Sequence, residues 1–374
     1  MQYCRTFYEV CRWKGQQIWR TKIRNYPKTS SFKHYYSTCP AGMKVTICGA
    51  AGNTGQPLAL LLKQCPLLDE IALYDVCATC GYGMELSHVD TKCKVSSFSG
   101  RHMLCDALKD SKVVVIVARN GCDTFENSAP IVTEIALQIC NTCPSAFTII
   151  ATEPIESMVP LVGEIQRLRN VYNPRKLLGC VELNSVRANT VLANFLRAPP
   201  EAVRVPVIGG ATPNTMVPVL SAAVHPCTMM QEQIESITSC IMTGNEAVCA
   251  AKGCHAETAC LAGAYAVARN TINVVKGLQG SKEVVQCAYV DSLGTCAPDC
   301  QFFASEICRE MTCRCSSTEL CWRPREVDYD AARAANLTHQ MPLKNAACSE
   351  CRVPRSVRIE QEIREKAMDP CGSY

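Results

Sequence analysis

The sequence predicts an α/β fold, a parallel sheet covered by helices on both faces, followed by a second domain of α+β type. Three observations predict it. Short apolar runs alternate with stretches of helical periodicity through the N-terminal half. The first run passes through a Gly-rich turn straight into a helical pattern. Beyond about Leu183 the predicted helices lengthen and the strands between them shorten.

Each element can be read in order. KVTIC from Lys44 is a short apolar strand, GAAGNTG a turn, and QPLALLL the start of a helix. IALYD (Ile71 to Asp75) is the next strand, VVVIVA from Val113 a third, and AFTIIAT from Ala146 a fourth. Ile131 to Cys140 carries helical spacing between the last two. In the second half VRANTVLANFL and ACLAGAYAVARNTINVVKGL read as amphipathic helices, with VPVIGG as a strand between them. Periodicity weakens after Ser316, and the tail holds one charged helical stretch, VRIEQEIREKAM. The predicted division is a basic segment at 1–40, a first domain at 44–182, a second at 183–325 and a tail at 326–374.

Gly49, Gly52 and Gly55 form GxxGxxG after one strand and before one helix. Glycines there let the backbone turn tightly and approach a pyrophosphate, which sits on the free N–H groups of the helix N-terminus. Asp75 ends the next strand, 20 residues after Gly55. A carboxylate at that spacing meets the adenosine ribose hydroxyls and selects NAD. The context makes this a Rossmann dinucleotide-binding domain. The same glycines also serve helix–strand packing, so the motif alone leaves open whether NAD is still held.

Composition excludes several classes. The apolar fraction is 48%, the charged fraction 19% and the net charge +4 across 374 residues. No apolar run approaches a membrane span. No basic stripe with interleaved aromatics marks nucleic acid as a partner. The first 40 residues carry Arg5, Arg12, Lys14, Arg20, Lys22, Arg24, Lys28 and Lys33 against the single acid Glu9. Tyr3, Phe7, Val10 and Ile18 fall near one helical face. This Arg-rich, acid-poor, amphipathic pattern is that of a mitochondrial transit segment, with a solvated basic tail as the alternative.

The segments GAAGNTGQPLALLLK, LYDV, ELSHVDTK, VYNPRKLLG, LNSVRANT, VPVIGG and AYAVAR together resemble the mitochondrial-type malate dehydrogenases, from about Lys44 to Glu306. The resemblance implies a lactate/malate dehydrogenase-like C-terminal domain, NAD-linked oxidation of malate to oxaloacetate, and a dimer. It also implies an Asp–His proton relay and three arginines that hold the substrate carboxylates. Position by position, most of that site is replaced. The histidine position is Ala211 and the aspartate position is Asn184. Of the arginines Arg187 remains, while the closing loop is shortened to RNGCDTFENSAPIV and its Arg119 does not match a clamp position. The two family amides beside nicotinamide and substrate are Glu153 and Glu156, and the residues after Ala211 include Pro213, Asn214 and Thr215. Like charges about 4 Å apart cost about 4 kcal/mol at an effective dielectric near 20, so a pocket with Glu153 should repel a dicarboxylate. His255 falls where the family places nicotinamide contacts and reads as a surface or helix-start residue; His88 reads as structural.

The chain has 28 cysteines, including the CxxC pairs Cys77/Cys80, Cys140/Cys143 and Cys348/Cys351 and a cluster from Cys296 to Cys321. Zinc would need two pairs brought together, and a catalytic CxxC needs a helix N-terminus. Neither is expected, and no metal site is assigned. Cys48 reads as a core residue. The excess suits intermolecular disulfide linkage in a durable assembly, such as a mitochondrion-derived or flagellar structure of a sperm. The sequence therefore reads as a mitochondrial-matrix pseudoenzyme, paired with itself or with an active paralogue. An NAD-dependent malate dehydrogenase with altered chemistry is the alternative.

Overall fold

A computed structural model of the chain describes residues 42–121, 124–224, 229–253, 259–281, 284–292, 300–310 and 321–324. All of these lie in one compact unit, Gly42–Tyr374. The basic N-terminal segment, His255, Cys348/Cys351 and the charged stretch VRIEQEIREKAM fall outside the described residues.

The elements begin with β1 (Lys44–Cys48), α1 (Gly55–Lys63), β2 (Glu70–Asp75), α2 (Cys80–Ser87), β3 (Lys94–Ser99), α3 (Leu104–Leu108), β4 (Val113–Ile116) and α4 (Phe125–Thr142). Next come β5 (Phe147–Ile150), α5 (Ile155–Leu168), β6 (Leu177–Gly179), α6 (Glu182–Leu196), β7 (Val207–Gly209) and β8 (Met216–Pro218). The last are α7 (Gln231–Met242), α8 (Gly244–Lys252), α9 (Cys260–Leu278), β9 (Val285–Asp291), β10 (Phe302–Glu310) and β11 (Cys321–Pro324). One sheet runs through all the strands in the order β3-β2-β1-β4-β5-β6-β9-β10-β7-β8, with β11 against β10. The first six are parallel and the rest join antiparallel, with β9 meeting β6 at Gly179 and Tyr289. The order 3-2-1-4-5-6 places a topological switch between β1 and β4, where open α/β sheets bind ligands at their strand ends.

Burial follows the period of two that strands impose. In β4, Val114 and Ile116 point into a core under α3, α4 and α5, while Val113 and Val115 point into the opposite core under α1 and α9. Cys48 lies in the first core and is fully buried; Val45 and Ile47 lie in the second. A third cluster joins α6 and α7 to β7 and β8 through Leu192, Val205, Val207, Ile237 and Ile241.

Two features depart from the sequence reading. The edge strand β3, KVSSFS, carries too few apolar residues to announce itself. It is held by its backbone ladder to β2 and by Ser96 Oγ donating to Glu70 Oε1 at 2.7 Å. The second half also contains long strands rather than short ones: β9 has 7 residues and β10 has 9. Their pattern is broken by buried polar residues, Gln286, Ser305 and Glu306. Glu306 accepts from Arg204 at 2.8 Å.

The first turn of α6 is fixed to α9 and β9 by one buried carboxylate. Glu182 Oε1 accepts from Arg269 Nε at 2.8 Å and from Nη2 at 2.5 Å, and Oε2 accepts from the Cys287 amide at 3.3 Å. Glu182→Ala would leave Arg269 half-buried without its carboxylate, and should cost about 3–5 kcal/mol of unfolding free energy. Glu182→Gln, which keeps an oxygen for the guanidinium, should cost less. Urea denaturation of both variants at pH 7 tests this; equal midpoints for Glu182→Ala and the parent would refute it.

Candidate dinucleotide and substrate site

The Gly-rich turn sits at the topological switch. Gly49 adopts φ +98°, and a Cβ built there would lie 2.5 Å from the Ala118 backbone at the end of β4. Gly55 opens α1 with its Cα against the turn; a Cβ would lie 2.1 Å from the Gly49 carbonyl oxygen. These two glycines are required by the protein's own packing. Gly52 is not. It is exposed, it is not among the positive-φ residues, and a Cβ there meets nothing closer than 3.4 Å. Its missing side chain keeps open the approach to the turn and to the N-terminus of α1, where a pyrophosphate binds in this arrangement.

Asp75 completes the cradle from the end of β2. Its Oδ2 accepts the Ala51 amide at 2.9 Å and its Oδ1 accepts the Cys77 amide at 3.1 Å. The Gly49 and Ala50 amides share the Tyr74 carbonyl at 2.9 and 3.1 Å. Turn and carboxylate are thus locked to each other, and Asp75 keeps further acceptor capacity for ribose hydroxyls. Gly49, Gly52, Gly55 and Asp75 therefore fit an NAD adenosine half.

Asn184, Ala211 and Glu156 form a structural clasp. Asn184, buried in the first turn of α6, donates from Nδ2 to the Ala211 carbonyl at 2.9 Å. Glu156, buried in the first turn of α5, accepts three donors at Oε1: the Ala211 amide at 2.8 Å, the Thr212 amide at 3.3 Å and Thr215 Oγ1 at 2.5 Å. Thr212 Oγ1 and Thr215 Oγ1 are 2.7 Å apart, and the Gly210 amide donates to the Thr215 carbonyl at 3.0 Å. The loop between β7 and β8 is held from two sides, and the Ala211 side chain packs against the core. Neither Ala211 nor Asn184 is itself a base, because a methyl group and a donating amide cannot take a proton.

Glu153 and Glu156 do not act as a pair. Glu153 is exposed at the cis Glu153–Pro154 bond, its Oε2 accepts the Ile155 amide at 3.2 Å, and its carbonyl accepts from Ser128 Oγ at 2.7 Å. Only Glu153 faces outward to oppose an anion. Glu156 is consumed by the loop, a role the sequence reading missed. The signal lay in the hydroxyls of Thr212 and Thr215 after a Gly-Gly pair. Arg187 is half-buried, donates to Asn245 Oδ1 and packs along Gly244. Burial pulls its pKa below the ordinary value, partly opposed by Cys249. It makes no ion pair with a carboxylate among the described residues. Arg119 donates to the Gly121 carbonyl at 3.2 Å, within its own loop. His88 caps α2 at the surface. No cluster of three metal-ligating side chains occurs among the described residues.

A doubly wound sheet with a glycine turn at its switch point and a carboxylate on the neighbouring strand defines a dinucleotide-binding protein of the dehydrogenase class. Residues 43–175 match the lactate/malate dehydrogenase NAD-binding domain, and residues 181–312 match that family's alpha/beta C-terminal domain. The chain belongs to the lactate/malate dehydrogenase family. It is 36% identical over 290 residues to the mitochondrial malate dehydrogenase of Felis catus, covering 75% of this chain and 84% of that protein. It is 38% identical over 273 residues to peroxisomal malate dehydrogenase 1 of Arabidopsis thaliana, covering 71% and 76%. Among solved structures, lactate dehydrogenase of Eimeria maxima with NADH and oxamate aligns with a TM-score of 0.66 at 18% identity, over 90% of this chain and 98% of that one. Malate dehydrogenase of Cryptosporidium parvum aligns with a TM-score of 0.64 at 21% identity, over 79% and 96%.

Two predictions follow from the geometry. Gly52→Ala should leave stability within about 0.5 kcal/mol of the parent, while weakening NADH binding about tenfold or more, roughly 1.4 kcal/mol. Gly55→Ala should instead lower stability by about 2 kcal/mol or more, because the added carbon must displace backbone. Thermal unfolding and fluorescence titration separate the two. Asn184→Asp would set a buried carboxylate against the Ala211 carbonyl, at a cost of about 2–4 kcal/mol at pH 7. The acid form can donate to that carbonyl, so the folded pKa of the new carboxyl is raised. The deficit should shrink as pH falls through that raised pKa toward about 4, the unfolded aspartate value. A deficit constant from pH 7 to pH 4 would contradict this account.

Proposed function

We propose that this chain is a dinucleotide-binding member of its family that has lost dehydrogenase catalysis and serves a structural or binding role in mitochondria. The observation that carries the reading is the clasp at Asn184, Ala211 and Glu156. Ala211 has no group that could take a proton, Asn184 is engaged as a donor, and Glu156 Oε1 is taken up by three donors of the loop. General acid–base catalysis is worth about 10²–10⁴ in rate, and the loss of the closing-loop arginines adds a loss of positioning. The exposed and unneeded glycine at 52 supports retention of the nucleotide. The mitochondrial relatives and the basic, amphipathic N-terminal composition support the location.

The partner is a second copy or an active relative. Leu60 on α1, Met84 on α2, and Leu261 and Tyr265 on α9 are exposed, and α1 packs against α9. Apolar side chains gathered on neighbouring helices favour burial in a dimer. Disulfide linkage within a larger assembly is the further role we assign to the cysteines of the chain, Cys240 among them. A second reading, NAD-dependent malate oxidation with altered proton handling, is favoured by Arg187, which remains available to a carboxylate.

The test is an NADH fluorescence titration with an oxaloacetate-reduction assay on the same sample. Binding without turnover is expected. The double variant Ala211→His, Asn184→Asp should remain at background, because the closing loop and Glu153 are still those of this chain. Turnover by the parent would overturn the proposal, and revival by the double variant would limit the lesion to the relay pair.

A further inference from the structure

Of the 15 cysteines with described side chains, eight are buried and only Cys77, Cys80 and Cys240 are exposed. Burial pushes Cys140 up to about 11 and Cys143, Cys180 and Cys287 up to about 12, so their reactive thiolate forms are scarce at neutral pH. The cysteines open to solution include one pair with two residues between them, and that pair lies directly after the ribose carboxylate. Cys77 is bound through its amide to Asp75 Oδ1 at 3.1 Å, and Cys80 is the first residue of α2. Between them Thr79 is fully buried and fixed to the end of β3. Its amide donates to Ser99 Oγ at 3.0 Å, and its hydroxyl reaches the Phe98 carbonyl at 3.2 Å and Ser99 Oγ at 3.0 Å.

We infer that Cys77 and Cys80 form a reversible intramolecular disulfide with low-molecular-weight disulfides as oxidant, and that closing it weakens dinucleotide binding. The second clause rests on the cofactor reading above. The exchange balances in two steps. One protein thiolate attacks a sulfur of the oxidant and releases a small thiol. The second protein thiolate then attacks the mixed disulfide and releases another. The protein loses two electrons and two protons, and the oxidant becomes two thiols. Thr79 is anchored and Cys80 belongs to the helix, so Cys77 is the less constrained end, and any adjustment that closes the bridge falls on it. Its amide is one of the two that orient the Asp75 carboxylate. Because coupling is reciprocal, NADH must in turn disfavour the bridge by the same factor.

The full-length protein would be equilibrated in glutathione disulfide, digested without reduction and mapped by mass. A Cys77–Cys80 peptide lighter by two hydrogens is expected, together with an NADH dissociation constant raised about fivefold or more. Dithiothreitol should reverse both, and Cys77→Ser and Cys80→Ser should abolish both. Mixed glutathione adducts or intermolecular links in place of the internal bridge would overturn the modification site. Bridge formation with unchanged affinity, or an equal loss of affinity in the serine variants, would overturn the coupling. If the reduced protein binds no NADH, the cofactor reading and the coupling fall, while the peptide mass still decides the bridge.

Discussion

The C-terminal edge of the parallel sheet depends on how closely two backbones meet at Gly49 and Ala118. With φ +98° and no side chain, Gly49 lets the turn after β1 lie directly against the end of β4. From that contact the rest is positioned. The turn donates two amides to Tyr74, the Ala51 amide reaches Asp75, and α1 starts with Gly55 pressed on the turn. The strands supply rigidity because their side chains fill cores on both faces, and a packed core is not continuously deformable. A nucleotide loop made this way is preorganised without any ligand. Its conformation is therefore set by the protein's own packing.

The substrate end shows a different economy. A relay needs a base with a spare lone pair and a carboxylate free to stabilise the protonated state. In this chain the Glu156 carboxylate and the Asn184 amide both bind the same short loop. A carboxylate receiving two amides and a hydroxyl, with an amide donating to a carbonyl, is a fully satisfied arrangement. Satisfaction and catalysis compete for these lone pairs. The two residues together fix the loop that carries Ala211, so the separate positions make one consistent structure.

The sequence made the first half of the fold legible because its physics is local. Apolar runs buried on both faces, a glycine turn of fixed spacing and an acid at the end of the next strand all appear within 32 residues, from Lys44 to Asp75. β3 escaped because an edge strand can be held by backbone pairing and serine hydroxyls. β9 and β10 escaped because Gln286, Ser305 and Glu306 break the apolar pattern, and the Arg204 that meets Glu306 lies 102 residues away. At Ala211 and Asn184 the sequence showed only the residue types. The clasp they join was not legible, since Glu156 meets the loop only after folding brings together residues 55 to 59 apart.

The cysteines make the same point about composition and place. A count of 28 argues for thiol chemistry as a property of the whole chain. The fold divides that count by environment. A thiol between sheet and helices, such as Cys48, is a small apolar side chain whose ionisation burial opposes, and it contributes packing. A thiol on the turn after β2 has the same covalent chemistry, but it is exposed, and its own backbone amide binds Asp75. Its oxidation is then linked to whatever that carboxylate holds, because the amide of the same residue helps to orient it. Location relative to Asp75, rather than abundance, is what gives Cys77 and Cys80 something to control.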